Sequence, residues 1–433
     1  MVYCVHVLVI ALALTTVSYW RNNTADCSCK GDRSTSSISS TVPPEETLKR
    51  VCYYTPFHHL EPNLTALNLT LCTHVIYGYS VVENNSTLVP KMSYLDPDRY
   101  VSFTKHVKCR YREVKTLLSV SEGSFSEMVI NETNRKRFVA SAVEQIIKWG
   151  FDGLDVDWEF PTFHERCNFV KFLQEARVSL KNHSKLLTVA LPVWARYINQ
   201  SYNDTATVKS ITDAVDFASL MAYDYNVYSH PWRRFTGPNA PLFRWSYRTK
   251  DESQRHVKWS VEYWSQILKM PKEKIIVGVP FFGRIFNITH PEKNHSFLAE
   301  AQHLSPAYGW DGKVTFNRTC YQFLKEPKAT LVYNKTSQTP YVYNEGKSTW
   351  VSYDNRRSIC EKVNWIYSNG YGGVMSFAIN FDDVYGHCRL GKFPLQTVIY
   401  DAIKNTPISS CCNCKIDCSK YDYNETAGSA RYG

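Results

Sequence analysis

The amino-acid sequence predicts an α/β fold, an eight-stranded (β/α)8 barrel, on three observations. Its 433 residues, 44% of them hydrophobic, are enough for one large core in a single domain. From Val51 onward, short β-branched or aromatic runs alternate with amphipathic helical stretches, which is typical of a parallel sheet. Three acids, Asp155, Asp157 and Glu159, stand two residues apart near the end of one predicted strand, where barrels of this kind carry their functional sites.

The first 20 residues predict a secretory signal peptide. The segment from residue 2 to residue 20 has no charged residue, and Val7 to Leu14 suits the apolar centre of a signal. Residues 16–18 suit a cleavage site between small side chains. An uncleaved membrane anchor is the alternative, since the stretch is nearly long enough to span a bilayer. In both cases we expect the rest of the chain outside the cytosol.

The composition also indicates that most of the chain lies outside the cytosol. Residues 21–48 are polar and rich in Ser and Thr, which indicates a flexible linker. The 14 cysteines suit an oxidising compartment. Asn-x-Ser/Thr sequons predict a glycosylated surface; they begin at Asn22, Asn63, Asn68, Asn84, Asn85, Asn131, Asn182, Asn199, Asn203, Asn287, Asn294, Asn317, Asn334 and Asn424.

The acidic run at residues 151–160 predicts a catalytic site. Side chains alternate along a strand, so the three acids share one face while Leu154, Val156 and Trp158 share the other. Unpartnered carboxylates are rare in an apolar interior, and crowded acids with separated pKa values are typical of acid/base chemistry. An exposed acidic edge strand is the alternative. It fits poorly, because Trp158 and Phe160 lie within the run and Gly150 precedes it as a helix stop.

Further segments match one known family in the order of the chain. The acidic run fits the pattern Asp-x-x-Asp-x-Asp-x-Glu, with Asp152 as its first acid. The other matching segments are residues 51–55, 71–77, 221–224, 276–284 and 372–383. The chain thereby resembles glycoside hydrolase family eighteen, the chitinases and chitinase-like lectins. The resemblance runs from about residue 50 to about residue 400.

This resemblance implies a TIM (β/α)8 barrel over residues 49–405. The helical rhythm stops between Arg284 and about Asp354, where residues 308–310, 328–333 and 340–343 look like short antiparallel strands. The family resemblance interprets this region, about residues 285–354, as a small α+β insertion between strands seven and eight. Residues 406–433 form a polar, Cys-rich tail.

The activity that the resemblance implies is hydrolysis of β-1,4-linked N-acetylglucosamine polymers with help from the substrate's own acetamido group. Glu159 would be the acid and then the base, while Asp157 would hold the acetamido N–H and share a proton with Asp155. Tyr223 would donate its hydroxyl to the acetamido carbonyl. Repulsion within the row predicts a raised pKa for Glu159 and coupled titrations. This mechanism needs no metal and no cofactor.

The resemblance also assigns further roles. Asp152 would be structural, and substrate contacts would come from Tyr53, Met221, Asp224, Phe377, Trp232 and Arg284. It implies disulfides Cys52–Cys72 and Cys320–Cys360. In the tail, Cys411, Cys412, Cys414 and Cys418 indicate disulfides in preference to a zinc site, because a paired Cys-x-x-Cys is missing. Cleavage of the signal leaves an odd number of cysteines, with Cys109 and Cys167 the candidates for a free thiol.

Two places depart from the family pattern. On the third strand, Ser121 and Glu122 stand where the family has two glycines, and Gly123 replaces a tryptophan. If those glycines have positive φ, side chains there would strain or remodel the strand end. On the eighth strand Phe377 replaces a tryptophan, which keeps an aromatic face but loses on the order of 1 kcal/mol of stacking.

Two hypotheses follow. The favoured one is a secreted endo-acting β-N-acetylglucosaminidase of the chitinase type, because the complete acid set is present. The other is a catalytically weak or inactive lectin that binds N-acetylglucosamine-containing glycans. The formal charge is +10, but the Lys and Arg residues are scattered, so nucleic acid is not an expected partner. We expect a monomer that meets a membrane only through an uncleaved N-terminal segment.

Overall fold

The computed structural model describes residues 48–56, 64–92, 96–229, 233–246, 248–302, 312–404 and 418. The expected signal or anchor, the linker up to residue 47 and all of the tail except Cys418 lie outside these residues, so their assignments stay predictions. Among the described helices, none is long and apolar enough to cross a bilayer.

The secondary structure alternates as expected. The strands are β1 Lys49–Tyr54, β2 His74–Val82, β3 Leu88–Pro90, β4 Lys115–Gly123, β5 Gly153–Asp157, β6 Leu186–Leu191, β7 Phe217–Leu220, β8 Ile275–Pro280, β9 Phe282–Ile288, β10 Ala301–Gln302, β11 Lys313–Thr315, β12 Thr330–Asn334, β13 Thr339–Asn344, β14 Thr349–Ser352 and β15 Gly373–Phe377. The helices are α1 Asp96–Arg110, α2 Phe125–Val129, α3 Glu132–Trp149, α4 Arg166–Lys181, α5 Ala195–Ser201, α6 Thr205–Ala214, α7 Lys250–Gln254, α8 Val257–Glu262, α9 Phe316–Arg318, α10 Arg356–Ser368 and α11 Pro394–Lys404.

Eight parallel strands close into a barrel. Their order is β1-β15-β8-β7-β6-β5-β4-β2, and β2 pairs with β1 to complete the ring. The short β3 pairs antiparallel with the carboxyl-terminal end of β2. The predicted (β/α)8 barrel is therefore confirmed. In such barrels the carboxyl ends of all eight strands meet at one face, so the residues that follow each strand are brought together.

The hydrophobic core has two layers. One lies between the strands and the surrounding helices, and it contains Leu154 and Val156 from the outward face of β5. The other fills the barrel interior and contains Tyr53, Tyr223 and Met375. The alternation expected for β5 is thus present, with its apolar residues facing the helices and its acids facing the interior.

Helix α3 delivers the chain to β5 through defined caps at both ends. The Asn131 side chain accepts a hydrogen bond from the Asn134 N–H (2.8 Å) at the start. At the end, Gly150 has φ 78°, and the Phe151 N–H bonds back to the Ile146 carbonyl (3.0 Å). This left-handed turn, which favours glycine, lets β5 begin three residues later, at Gly153.

An antiparallel sheet is inserted between β8 and β15, the seventh and eighth barrel strands. Its order is β10-β9-β14-β13-β12, with β11 also paired to β9. This confirms the expected insertion. Two of its strands were expected nearby, at 328–333 and 340–343, whereas the third expectation, residues 308–310, lies outside the described residues. Strand β9 starts two residues after β8 ends, so the inserted sheet rises directly from the mouth of the barrel.

The disulfides confirm one expected pair and correct the other. Cys52 and Cys72 are bonded, with their Cα atoms 6.0 Å apart. The expected Cys320–Cys360 pair is wrong: Cys320 bonds Cys388, and Cys360 bonds Cys418. Cys320 belongs to the insertion, which lies against the loop after β15, as the Lys325 Nζ bond to the His387 carbonyl (3.1 Å) shows.

Cys360 has a different neighbour because it lies on α10, which packs against α11, the helix that leads into the tail. Cys418 is therefore committed to a disulfide, in line with the expectation for the tail. Of the two candidates for a free thiol, Cys167 is exposed and without a disulfide to the described residues, and Cys109 is half-buried on α1.

Candidate active site

The three acids at the carboxyl end of β5 become more exposed from Asp155 to Glu159. Asp155 is fully buried, and Asp157, the last residue of the strand, is 3% exposed. Glu159 lies two residues beyond the strand and is exposed. Peptide bonds Gly78–Tyr79, Glu159–Phe160 and Phe377–Ala378 near this face are cis. The row thus runs from the barrel interior to the solvent.

Asp155 is held by three hydroxyl groups from neighbouring strands. Its Oδ2 accepts hydrogen bonds from Tyr53 Oη (2.6 Å) and Ser119 Oγ (2.8 Å), and its Oδ1 accepts one from Thr188 Oγ1 (2.6 Å). Burial raises the pKa of Asp155, and the three hydroxyls oppose that rise. The carboxyl is fixed in one orientation beside Asp157.

Asp157 is deeply buried, and one of its carboxylate oxygens is available for a further hydrogen bond. Its Oδ1 has no hydrogen-bond partner among the described residues, while Tyr79 bonds its carboxyl group. Burial raises its pKa well above the usual range, and the charges of Glu159 and Asp155 raise it further. A buried carboxyl with an unfilled bonding position is a candidate contact for a polar group of a bound ligand.

Glu159 is partly open to solvent, but much of its surroundings is protein. Loss of water raises its pKa, the charges of Asp224 and Glu122 add to the rise, and the positive charge of Lys313 opposes it. The direction agrees with the expectation from the sequence. The cause is different, because burial, not repulsion within the row, comes first. A carboxyl of this kind can hold a proton at a pH at which exposed glutamates have lost theirs.

Beside the acids lies a group of aromatic rings. Phe377 lies 5.4 Å from Tyr53 and 5.8 Å from Tyr223, between ring centres, and Phe282 lies 5.5 Å from Tyr223. Lys313, on β11, lies with its ammonium 5.1 Å from the Phe282 ring centre and 5.8 Å from that of Phe377. Phe377 thus lies beside Tyr53 and Tyr223, with Lys313 over its ring.

The segment after β7 supplies the polar wall. Met221 packs on the barrel interior, and Tyr223 is buried there. Asp224 accepts a hydrogen bond from Arg284 Nε at 2.6 Å, and its backbone N–H donates to Asn239 Oδ1 at 3.1 Å. The Asn239 amide in turn donates to the Phe282 carbonyl (3.0 Å), which ties this segment to the inserted sheet.

Asp152 lies apart from the mouth, where the chain enters β5. It accepts hydrogen bonds from Lys108 Nζ (2.5 Å) and from the Thr116 N–H (2.8 Å) and hydroxyl (3.0 Å). Burial works against ionisation, but these bonds outweigh it and lower the pKa of Asp152. Its contacts are those of a residue that ties β5 to α1 and β4.

The third-strand departure is accommodated without breaking the strand. Strand β4 continues through Gly123, and Glu122 has φ 68°, in the left-handed region, at a cost of about 1–2 kcal/mol for a residue with a Cβ. The Glu122 carboxylate pairs with Lys91 at 2.8 Å. At Gly123, φ is 86° and a Cβ would lie 2.1 Å from the Val82 carbonyl oxygen, so this backbone excludes tryptophan there.

Several residues of the site were not predicted from the sequence. They are Ser119, Thr188, Tyr79, Phe282, Asn239 and Lys313. Strand register could have revealed two of them, because Ser119 and Thr188 are the direct partners of Asp155 on the flanking strands. Trp232, an expected substrate contact, lies outside the described residues.

Comparison with known proteins agrees with this geometry. The family Glycosyl hydrolases family 18 matches residues 49–382. Human oviduct-specific glycoprotein is 30% identical over 84% of this chain, and the match spans 54% of that protein's length.

Two solved structures share the fold. The Ostrinia furnacalis Group IV chitinase in complex with allosamidin has a TM-score of 0.76 at 29% identity, covering 83% of this chain and 99% of that one. Human YKL-39, described as a pseudo-chitinase with retained chitooligosaccharide binding, has a TM-score of 0.74 at 26% identity. The match covers 82% of this chain and 100% of that one. With the acid row, the barrel and the matched residues in agreement, the chain belongs to glycosyl hydrolases family 18.

Proposed function

We propose that this protein hydrolyses β-1,4-linked N-acetylglucosamine polymers, such as chitin or chito-oligosaccharides, with retention of configuration. The observation that carries the proposal is the open Oδ1 of buried Asp157, next to the protonatable Glu159 at the barrel mouth. An acetamido N–H is a donor that fits this open position, since it would satisfy an oxygen that is otherwise unpaired.

The reaction begins with proton transfer. Glu159 gives its proton to the glycosidic oxygen, and the carbon–oxygen bond to the leaving sugar breaks. The acetamido carbonyl oxygen of the same substrate sugar bonds to the anomeric carbon, which forms a cyclic oxazolinium ion. Asp157 holds the acetamido N–H and balances the positive charge, and Asp155 steadies Asp157. Glu159 then takes a proton from water, whose oxygen attacks the anomeric carbon and reopens the ring.

The remaining predicted residues have supporting roles. Tyr223, with a hydroxyl among Asp157, Asp224 and Glu159, orients the acetamido carbonyl. Tyr53 fixes Asp155 and, with Phe377, supplies aromatic surface on which the sugar's C–H groups pack. Asp224 binds sugar hydroxyls in the orientation set by Arg284, and Met221 packs beneath the site.

A second candidate function is glycan binding with little or no turnover. Lys313 over the Phe282 and Phe377 rings favours it, because its ammonium competes with a sugar for the same aromatic surface. Gly123 favours it as well, because the stacking surface expected on the third strand is missing.

The deciding experiment compares wild type with Glu159→Gln on fluorogenic chitobioside and chitotrioside. Loss of one general acid should lower the rate by about 10²–10⁴-fold. Glu144→Gln, an exposed change on α3, is the matched control and should keep the wild-type rate. If wild type releases no more product than Glu159→Gln while both bind chitin oligomers, the enzyme proposal is eliminated and the binding function stands.

We also propose that the protein is secreted and glycosylated. Three disulfides in the described part of the chain support an oxidising compartment, and the many sequons support glycosylation. N-terminal sequencing and glycosidase treatment of protein from the medium of expressing cells test this. Retention of the first 20 residues on a membrane-bound product would favour the anchor instead.

A further inference from the structure

Two arginines lie over the ring of one tryptophan near the acid row, and a third lies over a neighbouring tyrosine. Trp194 follows β6 and is half-buried, and Arg233 lies 3.8 Å from its ring centre. Arg255 lies over the same ring at 5.3 Å, and Arg196 lies over neighbouring Tyr197 at 5.9 Å. We name Trp194, Arg196, Arg233 and Arg255 the arginine cluster.

The arginine cluster has more positive charge than its neighbours neutralise. The charges that act on Arg233 come from Arg255, Arg196 and Asp251, apart from the neutral Tyr197. Among the charged groups that act most strongly on Arg233, positive charge therefore outweighs negative charge. Asp251 is the ion-pair partner of Arg255, and no described carboxylate pairs with Arg233. Burial, with the charge of Arg255, lowers the pKa of Arg233 to about 10.

An unfilled donor points to a missing partner. Arg255 Nε is buried and has no hydrogen-bond acceptor among the described residues. Beside it opens a small depression, whose lining includes Trp194, Asp251, Gln254 and Arg255.

The arginine cluster is connected to the acid row by aromatic rings. Phe160 follows Glu159 directly, and its ring centre lies 4.7 Å from that of Tyr197. Tyr197 lies 6.3 Å from Trp194. A saccharide chain that leaves Glu159 along these rings can pack its C–H faces on them and reach the arginines.

We propose that the arginine cluster is a subsite for an anionic substituent, a carboxylate or a sulfate, on an N-acetylglucosamine-containing glycan. The inference rests on the proposed function and narrows its substrate class. Guanidinium groups bind carboxylate and sulfate oxygens through paired, charge-assisted hydrogen bonds, and stacking on Trp194 orients the groups in advance. An anion between Arg233 and Arg255 also relieves their mutual repulsion.

Isothermal titration calorimetry tests this with three tetramers of equal length, all on the Glu159→Gln background. They are neutral N-acetylchitotetraose, a 6-O-sulfated form and a form oxidised to the 6-carboxylate. One charge-assisted contact predicts about tenfold tighter binding of an anionic tetramer, with a preference that shrinks as salt rises. The two anionic arms identify which group the subsite takes.

Arg233→Gln should bring the ratio of anionic to neutral affinity close to one. Arg233→Lys keeps the charge and should retain part of the preference. Arg234→Gln is the matched control: it removes an adjacent, exposed arginine that faces Glu300 and should leave the ratio unchanged. Thermal unfolding confirms that each variant is folded.

The two proposals fail in different ways. If the neutral tetramer does not bind, the proposed function itself is in error. If it binds and neither anionic tetramer binds more tightly, the subsite is excluded and the proposed function remains. A preference that survives in Arg233→Gln also overturns the assignment to the arginine cluster.

Discussion

The ammonium group of Lys313 lies 5.8 Å from the centre of the Phe377 ring, and its charge lowers the pKa of Glu159. One side chain therefore lies over the aromatic surface and also acts electrostatically on the acid of the proposed reaction. It is supplied by the inserted sheet, since β11 pairs with β9 so that Lys313 lies opposite Arg284. Lys313 is therefore placed to affect both sugar binding on the Phe377 ring and the protonation of Glu159.

Lys313→Met should raise the pKa of Glu159, because a positive charge near the carboxyl is removed. A general acid works while protonated, so the fall in rate on the alkaline side should move to higher pH. Uncovering the Phe377 ring should also tighten binding of chitin oligomers by about two- to fivefold. The rate on fluorogenic chitotrioside against pH, with calorimetry, measures both effects.

Lys335→Met is the control for this change, as an exposed lysine of the same insertion in the turn between β12 and β13. It should reproduce the wild-type pH profile. An alkaline limb that stays in place in Lys313→Met contradicts the assigned charge interaction.

Glu122→Gln should shift the alkaline limb in the opposite direction. The negative charge of Glu122 is among the causes that raise the pKa of Glu159. Its removal lowers that pKa, so Glu159 loses its proton, and the rate falls, at a lower pH than in wild type. Glutamine preserves the side-chain size and the φ of 68°, so the backbone cost is the same. Glu127→Gln, on α2, is the matched control. An equal shift of the alkaline limb in both variants would contradict a specific effect of Glu122 on Glu159.

Tyr53→Phe should weaken both stability and turnover. The lost hydroxyl donates to the buried Asp155 at 2.6 Å, and leaving a buried acceptor short of one bond costs about 1–3 kcal/mol of unfolding free energy. The pKa of Asp155 rises further, because that hydroxyl favours the charged form. Asp155 then shares its proton less readily with Asp157, so kcat should fall more than KM rises.

Urea unfolding and steady-state kinetics measure these effects. Tyr321→Phe, which alters a tyrosine that is 52% exposed, should change neither the unfolding free energy nor kcat. A Tyr53→Phe variant as stable and active as wild type would show that the Asp155 hydrogen bonds are dispensable.

The parts of this protein that the sequence predicts correctly depend on local regularities. Strand alternation is a property of a few consecutive residues, so the inward face of Asp155 and Asp157 follows from their spacing. The stop at Gly150 is equally local. Helix–strand alternation then gives the barrel, because few folds accommodate that pattern.

The parts that it does not predict depend on contacts between distant segments. Lys313 reaches Glu159 only through the pairing of β11 with β9, and Asn239 joins Asp224 to Phe282 across a long loop. No local pattern marks either residue. The predicted Cys320–Cys360 disulfide is wrong for the same reason, since the packing of α10 on α11 decides which partner Cys360 meets.

Peptide mapping under non-reducing conditions tests the corrected disulfides. We expect linked peptides that contain Cys320 with Cys388 and Cys360 with Cys418, and none that joins Cys320 to Cys360. The Cys52–Cys72 link serves as the internal positive control. A Cys320–Cys360 peptide would contradict the corrected pairing and would show that the insertion and α10 are linked directly.

Paired replacement of Cys360 and Cys418 by serine should cost about 2–4 kcal/mol of unfolding free energy, because a link across 58 residues no longer restricts the unfolded chain. Serine at Cys167, which forms no disulfide with the described residues, should leave the unfolding free energy within about 0.5 kcal/mol of wild type.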